Sequence, residues 1–251
     1  MTLLPALIGT GGALAASGLF SWAAVAPLAQ LFGRTLQHTG KASTLALTFD
    51  DGPNPGATPR VLDLLEAHGA RATFFMVGRH IRAFPALAKQ VAERGHAVGN
   101  HTETHPRLTF LPASQIGGEL DRCQEALASI VGRRARWMRP PWGYRGPQLQ
   151  AVVSRKGYEG VAMWSISGRD WRPDGVAPLI ERLRPARGGD IVLLHDGDHK
   201  TLEGDRRSTI EALEYWLPRW KDAGMRFVSL DECGRRANED RAPGNWNAET
   251  G

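Results

Sequence analysis

The stretch Thr44-Leu45-Ala46-Leu47-Thr48-Phe49-Asp50-Asp51-Gly52-Pro53 constrains this chain more than any other. Its alternating apolar and β-branched residues read as a strand, and Gly52-Pro53 reads as the end of that strand. Two adjacent carboxylates are thus carried to a strand terminus. Successive strand residues point to opposite faces, so Asp50 and Asp51 are expected to do different work. One would hold a metal while the other faces a substrate.

Beyond this stretch the chain alternates short strands with amphipathic helices. Strands are expected at 44–50, 71–77, 96–100, 136–139, 158–164, 190–195 and 226–230. Helices are expected near 58–67, 84–94, 113–131, 147–156, 176–184 and 206–222, with Gly69, Gly95, Gly157 and Gly224 among the breakers. This order argues for a parallel sheet with helices outside it. A barrel-like closure would gather the strand ends on one rim, where sites form.

Residues 1–33 carry no charged side chain, and the first charge is Arg34. The run is long enough to cross a hydrocarbon core but lacks the basic start of a typical signal peptide. A membrane anchor, a cleaved signal and a packed N-terminal helix are the readings it allows, with Gly9, Gly11, Gly12 and Gly18 weakening a helix. Residues 34–43 read as a linker, 44–233 as the main domain and 234–251 as a polar tail. The net charge of +5 is spread over scattered pairs such as Arg133-Arg134 and Arg206-Arg207, which argues against a nucleic-acid partner. Cys123 and Cys233 form no C-x-x-C pair, which argues against a thiolate metal site. They are two free thiols or one disulfide, and the spacing favours free thiols.

His101 and His105, in Gly99-Asn100-His101-Thr102-Glu103-Thr104-His105-Pro106, stand at i and i+4. On one turn they would share a face and grip one ion, although the zincin pattern H-E-x-x-H is absent. Asp51 would complete a set of two imidazoles and a carboxylate, leaving positions open for water and a substrate oxygen. Such an ion acidifies water and polarises a carbonyl, and Asp50 is placed to act as the base. His195 ends the strand Asp190-Ile191-Val192-Leu193-Leu194 and suits an acid near neutrality. In the stiff loop Arg139-Pro140-Pro141-Trp142-Gly143, Arg139 is expected to orient Asp50, and the Trp142 backbone N–H to face a developing oxyanion. The tryptophans of the stretch Trp164 to Trp171 read equally as stacking surfaces for sugar rings or as core. The charged loop 196–205, which contains His199, is expected either to shape a groove or to be a solvated surface.

The motifs Thr-Phe-Asp-Asp-Gly-Pro, His-Thr-x-x-His, Arg-Pro-Pro-Trp-Gly, Asp-Trp and Leu-Leu-His, in this order over residues 44–233, resemble those of the NodB-type polysaccharide deacetylases, carbohydrate esterase family four. The resemblance implies a distorted (β/α)7 barrel and one divalent ion, Zn2+ or else Co2+ or Ni2+, on Asp51, His101 and His105. It implies Asp50 as base, His195 as acid and Arg139 as the residue orienting the base. Trp142, Asp170, Trp171 and Leu193 are its substrate-binding set, with Trp171 and Leu193 walling the acetyl methyl pocket. The expected activity is hydrolysis of N-acetyl groups on an amino-sugar polymer or oligosaccharide such as peptidoglycan, a chitin-like chain or an exopolysaccharide. The alternatives are O-deacetylation at the same site and a non-catalytic glycan-binding module. A monomer, extracytoplasmic in a bacterial envelope and either membrane-anchored or secreted, is expected. Where the family motif reads Asp-x-x-Asp-Trp, the first position here is Ser167. The histidine acid then lacks its expected carboxylate, with Asp196 or Asp198 as substitutes, and the pH profile is put in question.

Overall fold

The computed structural model describes residues 17–233. The expected tail at 234–251 and the first sixteen residues of the apolar N-terminal segment lie outside the described residues.

Nine strands form one sheet: β1 (Thr35–Leu36), β2 (Thr44–Gly52), β3 (Ala72–Met76), β4 (Ala97–Asn100), β5 (Trp137–Met138), β6 (Gly160–Ala162), β7 (Ile166–Ser167), β8 (Ile191–His195) and β9 (Arg226–Phe227). The order is β1-β6-β5-β4-β3-β2-β8-β7, with β9 beside the start of β2, and the named strands all pair in parallel. β2 is buried at every position. Its half-polar alternation therefore does not mark a half-exposed strand. β2 is the central strand of a parallel sheet, covered on both faces, and its polar residues find partners there: Thr48 Oγ1 donates to the Val192 carbonyl at 2.7 Å.

β6 and β7 stand in different parts of the sheet order, yet only residues 163–165 separate them. Extended chain covers at most about 14 Å over that interval, so the two regions must approach each other. Met163 N–H donates to Leu36 on one side and Ser165 N–H to Ile191 on the other. The sheet is thereby curled into the distorted barrel that the motifs imply.

Helices α1 (described over residues 17–25), α2 (Thr58–Ala67), α3 (Gly78–Ala83), α4 (Pro85–Glu93), α5 (Ala113–Ala126), α6 (Leu149–Arg155), α7 (Val176–Leu183) and α8 (Arg207–Asp222) flank it. α5 runs on into a π-helical turn, Leu127–Val131. The main core lies between sheet and helices, where Phe49 and Phe74 stack at 5.0 Å.

One expectation about the chain's organisation is corrected. Residues 34–43 are not a free linker, because β1 pairs with β6 and His38 bridges to Asp190. Residues 17–33 are docked on the domain through buried Ala23, Ala24 and Ala29. Among the described residues no helix is long and apolar enough to cross a membrane. Cys123 and Cys233 are both free, and burial pushes the thiol of Cys123 well up.

Candidate active site

The C-terminal ends of the parallel strands open into a cleft of about 540 Å³, the end of such a sheet where sites collect. Asp50 and Asp51 reach it from β2, His101 and His105 from the chain after β4, Trp142 from the loop after β5, and Leu193 and His195 from β8. Parallel pairing sets the register: Asp50 lies opposite His195 on one side and Phe75 on the other.

Asp50 and Asp51 do not point to opposite faces. The ladder with β3 slips between Asp50 and Gly52, and Asp51 has φ of 71°. This bulge turns the second carboxylate into the same cleft as the first. Their roles divide through their partners instead. Asp51 Oδ1 lies 3.4 Å from His101 Nε2 and 3.2 Å from His105 Nε2. Asp50 Oδ1 accepts from Arg139 Nη1 at 2.8 Å.

Five non-glycine residues among the described residues have positive φ, and four of them, Asp51, Thr102, His105 and Trp142, lie at or beside the cleft, while Arg169 lines the groove beside Leu28. Such conformations cost of order 1–3 kcal/mol each and persist where the surroundings over-determine them. For Asp51 the anchor is visible: His80 Nδ1 lies 2.9 Å from its carbonyl oxygen and donates to it. For His105 it is the Thr102 hydroxyl, which accepts from the His105 N–H at 3.0 Å.

Asp51, His101 and His105 bring three donor atoms within 4.8 Å of one another, all buried. Their fit to a cation follows from the hydrogen bonds. His101 Nδ1 donates to the Arg139 carbonyl at 2.8 Å, so its Nε2 carries a lone pair in the neutral ring. That lone pair faces Asp51 Oδ1, which is buried and has no hydrogen-bond partner. Two acceptors facing one another in a dry site are unfavourable unless a cation lies between them. Burial, helped by nearby positive charge, pushes His105 down to about 2 and keeps its ring neutral. For Asp51, burial favours the neutral acid, but the imidazoles gathered around it hold it well below the usual carboxylate range. A buried carboxylate with two imidazoles is a donor set of catalytic type.

Arg139 is fully buried behind Asp50. Its guanidinium donates to Thr48 Oγ1 at 2.7 Å, the Ala162 carbonyl at 3.2 Å and the Met163 carbonyl at 3.0 Å, and lies 4.2 Å over the Phe75 ring. This fork cannot swing. It fixes one oxygen of Asp50 and leaves Oδ2, 3.8 Å from His101 Nε2, toward the cleft.

Asp170 is not a cleft residue, contrary to the expectation that it binds substrate. It lies behind His195, accepting from His195 Nδ1 at 2.8 Å, from the His195 backbone N–H at 2.7 Å and from Thr209 Oγ1 at 2.8 Å. The concern over Ser167 falls with it, because His195 does have a carboxylate partner, three residues further along the motif. Asp196 does not substitute: its Oδ2 instead accepts from Thr58 Oγ1 at 2.5 Å. Burial works against a charge on His195, but Asp170 outweighs it and raises the histidine above its ordinary value. Burial likewise opposes the charge on Asp170, and His195 reverses that and lowers it. The pair therefore adds stability above the ordinary carboxylate range, and loses it as pH rises through the raised value of His195.

Asp170→Asn is expected to bring His195 back toward its unperturbed value. The alkaline limb of activity, where the acid loses its proton, then moves down by about 1–3 pH units. A pH–rate profile of kcat checks this, and an unmoved limb would mean that His195 is not the acid.

Trp171 meets His195 edge-on at 5.2 Å, and Leu193 lines the cleft with them. Trp142 packs edge-on against His105 at 4.3 Å and stays 38% exposed. The structure adds His199 to the cleft. Its ring stacks on His105 at 4.2 Å, and its Nδ1 lies 3.5 Å from Asp51 Oδ2. Nothing in the sequence spacing singled it out beyond its place in the charged loop 196–205, whose Asp198 and Lys200 also line the cleft.

A family model described as polysaccharide deacetylase matches residues 37–161. The chain is 37% identical to the chitooligosaccharide deacetylase of Azorhizobium caulinodans, over 80% of this chain and 99% of that one. It is 38% identical to a peptidoglycan-N-acetylglucosamine deacetylase of Bacillus cereus, over 76% and 88%. Among solved structures, the Bc1960 peptidoglycan N-acetylglucosamine deacetylase superposes with a TM-score of 0.72 at 29% identity, covering 79% of this chain and 92% of that one. With its curled parallel sheet and its motifs gathered at one rim, this chain belongs to the polysaccharide deacetylase family.

Proposed function

We propose that this enzyme removes N-acetyl groups from an amino-sugar glycan of the chitooligosaccharide or peptidoglycan type, with a divalent ion held by Asp51, His101 and His105. The observation that carries the reading is the opposition of two differently partnered groups across one cleft. On one side is Asp50, a carboxylate clamped by a buried arginine. On the other is His195, an imidazole that donates to a buried carboxylate. A base and an acid facing the same space are what amide hydrolysis requires, because water must lose a proton and the leaving nitrogen must gain one.

When bound, the ion supplies Lewis-acid polarisation of the acetyl carbonyl and acidification of water; the donor set of two imidazoles and a carboxylate suits Zn2+, with Co2+ or Ni2+ as substitutes. Asp50 accepts the proton of the attacking water at Oδ2, since Oδ1 is taken by Arg139. Charge developing on the carbonyl oxygen is met by the backbone N–H of Trp142. His195 donates from Nε2, because its Nδ1 proton is committed to Asp170. The C–N bond breaks, the amine leaves with that proton and acetate is released. Leu193 and Trp171 enclose the acetyl methyl, and exposed Trp142 and Trp171 offer faces on which sugar rings stack.

Acetate release from N-acetylated chito-oligosaccharides, from peptidoglycan fragments and from O-acetylated xylan, measured on the same preparation, tests this reading. Turnover is expected on the N-acetylated substrates at least about tenfold above that on the ester. Preference for xylan would make the enzyme an O-deacetylase. Binding without acetate release would make it a glycan-binding module.

A further inference from the structure

Among the described residues ten large apolar side chains are exposed, and they are not scattered. Six of them, Leu19, Phe20, Trp22, Val25, Leu28 and Leu31, lie within residues 17–33, each 45–56% exposed. Single exposed apolar residues are ordinary, whereas a concentrated patch marks an interaction surface. This patch contains an exposed tryptophan and no charged side chain, and in sequence it continues the uncharged run of residues 1–16. Arg34 ends it, and exposed Arg169 stands across a groove from Leu28.

The opposite side of the same segment is fixed to the catalytic domain. Arg145 is buried, with 2% exposure, and has no carboxylate partner among the described residues. It spends its donors on the segment's backbone: its N–H on Ala24 O at 2.9 Å, Nη1 on Ala29 O at 2.9 Å and Nη2 on Ala26 O at 2.6 Å. Gln37 Nε2 adds a bond to the Pro27 carbonyl at 3.1 Å. Arg145 directly follows Tyr144, which walls the cleft, and Trp164 lines both the cleft and the groove beside Pro27 and Leu28. The apolar surface is therefore rigidly joined to the wall of the active site and only one side chain from it.

We propose that residues 17–31 seat on a phospholipid bilayer with anionic headgroups, and hold the cleft at that surface to act on glycan presented at the membrane. The substrate clause rests on the deacetylase reading above, whereas the surface does not. Aliphatic residues with Trp and Phe suit the acyl–headgroup boundary, and arginines at the margin suit anionic lipid. The described part of α1 turns Leu19, Phe20, Trp22 and Val25 outward, the apolar face of a helix that lies in the interface. A second copy of the chain would also cover apolar area, but the uncharged run before the patch and the arginines at its rim favour lipid.

The test uses the full chain and vesicles of phosphatidylcholine with and without phosphatidylglycerol. The wild type is expected to co-sediment with vesicles, more strongly when they are anionic. Trp22→Glu with Leu31→Glu is expected to lose more than about tenfold in partitioning, while turnover on a soluble N-acetylated oligosaccharide stays within about twofold of the wild type, which also reports that the variant is folded. Equal vesicle binding by the double variant and the wild type would overturn the proposal, as would failure of the wild type to bind. A dimer in solution that the double variant disrupts, without vesicle binding, would assign the face to a second copy and overturn it too. Lost vesicle binding in the variant, with no turnover by the wild type on any acetylated glycan, would leave the surface standing and sink the deacetylase reading instead.

Discussion

Asp50→Asn is expected to reduce kcat on an N-acetylated oligosaccharide by about 10²- to 10⁴-fold, the range of a positioned general base, while the bound divalent ion is retained. The substitution is nearly isosteric and leaves an oxygen for Arg139. Because that guanidinium is held by Thr48, Ala162 and Met163 as well, the surrounding structure should not collapse. What disappears is the acceptor for the proton of water. Metal content of the purified variant, read beside its kinetics, separates this from simple loss of the ion. Retained turnover would remove Asp50 from the base role.

Asp51→Asn should behave differently although it is the next residue. Asp51 Oδ1 is the atom shared by His101 and His105, and it supplies the only negative charge in the three-residue donor set. Replacing it by a neutral amide leaves two imidazoles to hold the ion. Metal affinity and activity are expected to fall together, activity by several kcal/mol of lost stabilisation, roughly 10³-fold or more. Excess metal should restore part of the activity of Asp51→Asn and none of that of Asp50→Asn. Calorimetric titration of the apoprotein with zinc reads the affinity without relying on turnover. Unchanged affinity in Asp51→Asn would mean that the donor set is wrong.

These contrasting outcomes come from a structural detail that period-2 reasoning could not reach. Alternation along a strand separates neighbours onto opposite faces, and that rule fails at Asp51. Its backbone leaves the β region and its carboxylate turns into the same cleft as that of Asp50. The cause is tertiary. His80, twenty-nine residues away, donates to the Asp51 carbonyl, and no local signal in Gly78-Arg79-His80 announces it. The pairing of Asp170 with His195 was hidden for a similar reason. Motif spacing put the histidine's partner at Ser167, whereas the fold brings Asp170 underneath His195 through its backbone N–H and Thr209.

Elements with strong local signals were legible. α2 spans Thr58–Ala67, the expected range, with Pro59 in its first turn as helix starts favour. The long strand β2 and helices α4 and α8 lie within a residue or two of expectation. α3 was not foreseen, since six residues are too few to show a period. β1 and β7, of two residues each, have no pattern of their own and exist because the curled sheet offers them an edge. His101 and His105 were legible as a spaced pair. His199 was not, because stacking on His105 depends on how a ten-residue loop folds back over the cleft.

The central claim is amide hydrolysis by a base and an acid that face each other beside a divalent ion. The most direct measurement counts acetate and free amine on one sample of N-acetylated chito-oligosaccharide, first with chelator-stripped enzyme and then after adding zinc back. The account predicts negligible product from the stripped enzyme, and after zinc is restored equal amounts of acetate and free amine. Full turnover by the stripped enzyme, or acetate without matching amine, would contradict it.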